Sequence, residues 1–450
     1  MARSERIFRA WALASLALVL AGRLPAQVSR AAYEPSGGTL RLSLRDALDL
    51  AMKQNPHVQM ANLQVLRAQA AADVARSALL PQLSLDINSG YQTLNLRALG
   101  FALPGVPDRV GPFQQFDVRP VFTQTLYSQS QRKELAASRE RASESRWNAV
   151  SVREAMLLSV AQLYLEALDQ NARIDAAGAR IRSARALLKQ TRQFVEAGTA
   201  SRLDESRAEM QVANETRTMT ELQGLFEIRK LMLANLLGIP ASTRLDLTET
   251  FIPPQQGTVL VDAAITKALQ NRPEMKAVQA RLRAASADRQ KAAAERYPTA
   301  AFSMDFGRMG NSMWNNVSTY ALRGSVRLPI LQGGRIEAQV RSAEAEIREV
   351  EEEVRKTRLQ IEMEVQTAAV KLNTAEQAYR SAATAATLSR KVLSLAAARF
   401  EGGLSSNIEV VNAQEAVASA ESVAIRCIFD YYMARAELAR VEGNVQDLFE

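Results

Sequence analysis

Residues 80 to 95 read LPQLSLDINSGYQTLN. Beyond the Leu80-Pro81 step, Leu83, Leu85, Ile87 and Tyr91 are apolar, whereas Gln82, Ser84, Asp86, Asn88 and Gln92 are polar. A period of two puts the two sets on opposite faces of a strand. The pattern recurs three times. Phe116, Val118, Pro120 and Phe122 alternate with Asp117, Arg119 and Thr123. Phe302, Met304 and Phe306 alternate with Ser303, Asp305 and Gly307, and Tyr320, Leu322, Val326 and Leu328 alternate with Arg323, Ser325 and Arg327. Segments of about ten residues with one apolar and one polar face are what a transmembrane β-barrel needs. A half-buried soluble sheet shares the alternation.

The flanking sequence narrows the choice. Leu80-Pro81 and Tyr297-Pro298 each stop a helix and open a strand, because a residue before Pro avoids the helical region. The Gly/Pro-rich stretch 97–112 and the stretch 309–318 join the strands of each half. Residues 335 to 401 contain neither Pro nor Gly. Within them Ile336, Val340, Ala343, Ile347, Val350 and Val354 are spaced alternately by four and three, and Thr357, Ile361, Ala368, Leu372, Ala375 and Tyr379 continue the seam. That is a coiled-coil heptad with charged outer faces. At about 1.5 Å per residue the helix is on the order of 100 Å long, so it bridges a distance rather than packing inside one domain. Residues 131 to 197 form its counterpart, broken only by Gly178.

The counterpart reflects a duplication. Asn55-Pro56 falls on Arg272-Pro273 and Leu80-Pro81 on Tyr297-Pro298 at one offset. At a slightly smaller offset Gly198 falls on Gly403, Ser201 on Ser406, Asp204 on Glu409 and Gly238 on Gly443. Half a chain is too long for a solenoid repeat. Arg3, Arg6 and Arg9 precede an apolar run over residues 11 to 22 and then Leu24-Pro25-Ala26, the layout of a secretory signal cleaved at Ala26 or Ala31. The expected division is a signal peptide over 1–26, a first repeat over 27–257 and a second over 258–450. The first repeat holds a helix, a β-hairpin at 82–127, long helices over 131–237 and a linker at 238–257. The second holds a helix, a β-hairpin at 299–331 and long helices over 333–447.

Composition argues against enzymes and metal centres. One Cys among 450 residues leaves no disulfide framework, and one His leaves little scope for triads or zinc sites. His57 and Cys427 therefore read as a surface residue and a small core residue, and no cofactor or metal is expected. The formal charge of +8 is spread along the chain without a basic block, so no nucleic-acid partner is expected.

Open sheet edges are not tolerated in hydrocarbon, and four strands cannot close a barrel. Two chains would supply eight strands and a filled interior; three would supply twelve and an open lumen. The polar faces would gather Asp86, Asp117 and Asp305 with Arg119, Arg323 and Arg327 in that lumen. Mixed signs point to a permissive duct rather than a selective filter.

These stretches, in this duplicated order, resemble the TolC-like outer-membrane efflux protein family over nearly all of the chain beyond the signal. LSLRDALDLAMKQNP resembles its opening helix, ARSALLPQLSLDINSGY its helix-to-strand passage and RLPILQGGRIEAQVRSAEAEI its strand-to-helix passage. FVEAGTASRLDESRAEMQVA and RFEGGLSSNIEVVNAQEAV resemble its helical tips, and LANLLGIP the close of its first half. The resemblance implies an α+β membrane protein: a homotrimer with a twelve-stranded transmembrane β-barrel, four strands per chain, continuing into a long α-helical coiled-coil periplasmic barrel. It implies an exit duct in the outer membrane of a tripartite efflux or type I secretion system, passing small molecules or proteins. Outer-membrane lipid, a periplasmic adaptor (membrane fusion) protein and an inner-membrane transporter would be its partners. The adaptor would dock at Gly198, Thr199, Ser201 and Asp204 in the first tip and Gly403, Leu404, Ser406 and Glu409 in the second. Ser201 with Asp204, and Ser406 with Glu409, also suit capping of the returning helices. Glu376 is the gate candidate, alone among basic neighbours where the family often carries acidic rings. TQTLYSQSQR lacks the Pro and Gly-Gly of LPILQGGR, which implies a less sharply turned first junction. The alternative is a periplasmic coiled-coil scaffold without a pore.

Overall fold

The computed structural model describes residues 39–98, 100, 104–105, 107–250, 260–402 and 404–443. The signal peptide, Ala26, Ala31, Gly403, residues 251–257 of the linker and the last residues of the second repeat lie outside them.

In chain order the elements are β1 (Thr39–Leu42), α1 (Leu44–Gln54), α2 (Pro56–Ser77), β2 (Gln82–Asn95), β3 (Arg109–Tyr127), α3 (Gln129–Glu196), α4 (Arg202–Leu237), β4 (Arg244–Leu247), α5 (Val261–Asn271), α6 (Pro273–Ala294), β5 (Thr299–Gly310), β6 (Asn316–Arg327), α7 (Arg335–Glu401) and α8 (Asn407–Val441). Each half is thus a short helix, a second helix, a strand hairpin, a very long helix and a returning helix. The duplicated order is visible in the fold.

Helices α3 and α7 contain 68 and 67 residues, which at about 1.5 Å per residue is roughly 100 Å each. The heptad seam of α7 is its covered stripe: Ile336, Ala343, Val350, Ile361, Ala368 and Ala375 are buried, with Val340, Ile347, Val354 and Leu372 half-buried between them. Gly178 does not break α3; the helix passes through it, since one interior Gly costs only about 1 kcal/mol and tertiary contacts on both sides hold the turn.

β2, β3, β5 and β6 form one antiparallel sheet in that order, so β3 of the first half pairs with β5 of the second. The first strand-to-helix junction is the single residue Ser128, whose hydroxyl caps α3 through the Gln131 N–H. The second takes seven residues and turns through left-handed Gly333 and Gly334 before α7 begins. The contrast follows the missing Pro and Gly-Gly.

A two-stranded parallel sheet, β1 with β4, was not anticipated from sequence. It sits on the largest core cluster, where Leu42, Leu48, Leu157, Tyr164, Leu233, Leu237 and Leu245 pack together. Tyr164 is fully buried and its hydroxyl donates to the Leu42 carbonyl at 2.9 Å. Among the described residues no helix is long and apolar enough to cross a membrane.

Candidate functional site

Strand register fixes the two faces of the four-stranded sheet. Leu83, Leu85 and Ile87 lie opposite Phe122, Pro120 and Val118; Phe122 lies opposite Met304, and Met304 and Phe306 opposite Leu322 and Tyr320. One face is therefore apolar across all four strands. It is also exposed: Leu83 is 69% accessible, Tyr320 74% and Val326 75%. The opposite face is polar and partly covered, with Asp117 and Asp305 only 7% and 6% accessible. A soluble sheet buries its apolar face and wets its polar one; this one inverts the rule, as a sheet in lipid must.

The polar residues form a cluster. The Arg119 guanidinium donates to both oxygens of Asp117, at 2.9 Å to Oδ1, and to Asp305 Oδ2 at 3.0 Å. Arg323 reaches Asp305 Oδ1 at 3.4 Å. Asp86 faces Arg119 across the β2–β3 register but stays exposed, and Arg327 sits at the start of the β5–β6 pairing. Four of the six residues expected on this face thus join one network, and Asp86 and Arg327 stand outside it.

At the other end of the long helices lie two tight turns. In the first, Gly198 takes φ +75° and the Phe194 carbonyl accepts from the N–H of Thr199 and of Ala200. Ser201 begins α4 with a full capping box: the Asp204 N–H donates to Ser201 Oγ at 3.2 Å, and Asp204 Oδ2 accepts from the Ser201 N–H at 3.2 Å. In the second turn Ser406 occupies the same position, yet its hydroxyl caps nothing. Glu409 turns instead toward Arg399, at 3.7 Å. The sequence expectation of two like caps holds only for the first tip, where Asp204 folds back onto Ser201 while keeping Arg207 at 3.7 Å. Leu404 and Leu203 are largely exposed at the tips, while Phe194 and Phe400 pack edge to face at 5.3 Å between the two halves.

Glu376 is not a free acid on the surface. Its side chain is 14% accessible, and the carboxylate pairs with Arg380 one turn along α7. Cys427 is half-buried rather than fully in the core, and His57 is exposed.

Sequence reasoning missed a buried charged network at the start of α6. Where the first half has Asn55, whose amide caps α2 and donates to the Leu236 carbonyl at 2.6 Å, the second has Arg272, with a side chain 4% accessible. Arg272 pairs with Glu364 at 2.6 Å and Glu274 at 3.2 Å, and Arg440 also reaches Glu364. Burial, reinforced by Glu274, pushes the Glu154 carboxyl up to about 7 against the opposing pull of Arg272, Arg440 and Lys276. The aligned Asn-Pro and Arg-Pro pairs were the available signal, but nothing local marks that arginine as buried.

A sheet with lipid-facing apolar residues, carried on duplicated helices that reach about 100 Å, defines an outer-membrane channel protein. The chain belongs to the outer membrane efflux protein family, whose model matches residues 47–239 and 264–444. It is 24% identical over 408 residues to the pyoverdine export outer membrane protein OpmQ of Pseudomonas putida, covering 89% of this chain and 84% of that one. Its fold matches the outer membrane protein VceC of Vibrio cholerae with a TM-score of 0.76 at 19% identity, covering 90% of this chain and 97% of that one. It matches the CmeC outer membrane channel of Campylobacter jejuni with a TM-score of 0.77 at 16% identity, covering 90% and 87%. The protein is thus an efflux duct of the outer membrane, with its helices in the periplasm.

Proposed function

We propose that three copies close the sheet into a twelve-stranded barrel and that the long helices continue it as a periplasmic tunnel. One observation supports this most directly: β2 and β6 are the outer strands of a sheet whose apolar face is exposed. In hydrocarbon each open backbone group costs several kcal/mol, so β6 of one copy pairs with β2 of the next. Asp86, Asp117, Arg119, Asp305, Arg323 and Arg327 then line the lumen.

The duct is passive rather than enzymatic. Cargo, a small molecule or a protein, diffuses through it after an inner-membrane transporter has loaded it by way of a periplasmic adaptor. The adaptor docks on the tips, at Gly198, Thr199, Ser201 and Asp204 and at Gly403, Leu404, Ser406 and Glu409. Exposed Leu203 and Leu404 supply apolar contact there. Glu376 acts in the gate together with Arg380, its partner one turn along the same helix.

The test is direct. Purified protein should run as heat-modifiable trimers from outer-membrane fractions and give single-channel conductance in planar bilayers. Detergent-independent monomers without conductance would overturn the proposal and leave a scaffold.

A further inference from the structure

The α2–α3 seam differs from the other seams of the helical part. Between α3 and α6, Arg141 pairs with Asp288 and Arg283 with Glu140. Between α6 and α7, Arg281 pairs with Glu353, Arg289 with Glu344 and Arg335 with Glu295. Each arginine at those seams has a carboxylate. Along the α2 side of α3 stand Arg132, Arg139, Arg146 and Arg153, spaced by seven residues. Seven residues are close to two turns, so the four guanidiniums form a ladder with rungs about 10 Å apart.

None of the four is neutralised among the described residues. Arg132 lies over the Tyr127 ring, 5.4 Å from its centre, and Arg153 donates to the Asn62 side-chain oxygen at 2.6 Å. Arg139 and Arg146 have no hydrogen-bond or ion-pair partner there. Instead they converge, with Arg76 of α2, on a groove of about 460 Å³ floored by Leu135, Ala72 and Ala142. Asp73 is the one carboxylate on its wall. Three guanidiniums against one acid, over an apolar floor between two rigid helices, form a cleft that attracts negative charge. Guanidinium forks match the oxygens of carboxylates and phosphates.

We propose that this groove is an oxyanion-binding site for amphipathic organic anions, held by Arg76, Arg139 and Arg146 with their apolar part on Leu135. The same chemistry would suit a lipid headgroup phosphate. Arg139 lies twelve residues beyond the end of β3, about 18 Å along a helix. Headgroups extend only some 5–8 Å beyond the hydrocarbon, so the position favours a dissolved anion. This inference is independent of trimer closure and tip docking.

The experiment uses the purified full chain in nonionic detergent at low salt. A trisulfonated hydroxypyrene is followed by fluorescence anisotropy and displaced with inorganic pyrophosphate, and a parallel arm adds micelles doped with phosphatidylglycerol or phosphatidylcholine. Arg139→Gln with Arg146→Gln should weaken dye and pyrophosphate binding by about tenfold, and Arg139→Lys with Arg146→Lys should keep most of it. Arg141→Gln, which removes an arginine paired elsewhere, should leave it unchanged. If phosphatidylglycerol alone responds to the glutamine pair, the anion source is the membrane. Equal affinity of the natural protein and the glutamine pair in both arms, with both proteins equally helical by circular dichroism, overturns the site. Binding is read without conductance, so its failure leaves the duct standing.

Discussion

Arg119 on β3 donates to Asp305 on β5 at 3.0 Å, and this contact ties the two duplicated halves together across the strand pair where they meet. The same guanidinium holds Asp117 on its own strand. Both aspartates are well covered, so this one guanidinium serves as a shared hydrogen-bond donor to each.

Arg119→Gln should therefore destabilise the protein by about 1–3 kcal/mol, because it leaves covered Asp117 without its cation and Asp305 with Arg323 alone. Adding Asp305→Asn should restore part of the loss. Unfolding temperature in detergent, read by gel shift, checks both; a double variant as weak as the sum of its singles would show that the pair is uncoupled.

The backbone beside this contact admits no side chain at Gly307, where a Cβ would come within 2.3 Å of the Val118 carbonyl oxygen. Gly307→Ala should push β3 and β5 apart and lower the yield of folded protein in the outer membrane. Gly324→Ala, on open space in the same sheet, should be tolerated. Outer-membrane yields of the two variants give the comparison.

The tips differ in their caps, so the same substitution should act unequally. Ser201→Ala removes an N-cap hydrogen bond and should cost about 1 kcal/mol locally. Ser406→Ala should cost much less, since its hydroxyl caps no helix N–H. Hydrogen exchange over residues 202–210 and 408–414 reads the difference.

Glu154 makes stability depend on pH. Its carboxyl titrates near 7 in the fold and near the ordinary 4.3 when unfolded. The fold favours its neutral form, so the folded state loses stability as pH rises between those values and levels off above 7. Glu154→Gln should raise the melting temperature at pH 8 and change it little at pH 4. A gain of equal size at both pH values would remove the titration from the account.

Tyr164→Phe deletes one buried hydrogen bond to the Leu42 carbonyl inside the largest core; the carbonyl keeps the Thr248 N–H as a second donor. The loss should be about 1–2 kcal/mol, seen as a lower midpoint in denaturant with an unchanged slope.

Local patterning accounts for much of this molecule. Alternation at 83–91 and 302–306 marks strands because each side chain there has one of two environments, and the seam from Ile336 to Tyr379 marks a helix because one stripe must be covered. The first tip was equally legible, since Gly198 needs a left-handed turn and Ser201 suits a cap, whereas the matching Ser406 caps no helix N–H. Four-residue β1 and β4 were not, because so short an alternation carries no signal until the chain brings both strands together. Arg272 was not, because an arginine reads as a surface residue until Glu274 and Glu364 surround it.

From residue order alone followed the duplication, the strand and helix periods and the two-faced sheet, all of which depend on neighbours within a few turns or pleats. Packing across the fold settled which arginines meet acids and which do not. Arg119, Arg141 and Arg272 found carboxylates on other elements, while Arg139 and Arg146 found none among the described residues. Charge pairing acts over a few ångströms between segments far apart in the chain, and no local period encodes which segments become neighbours.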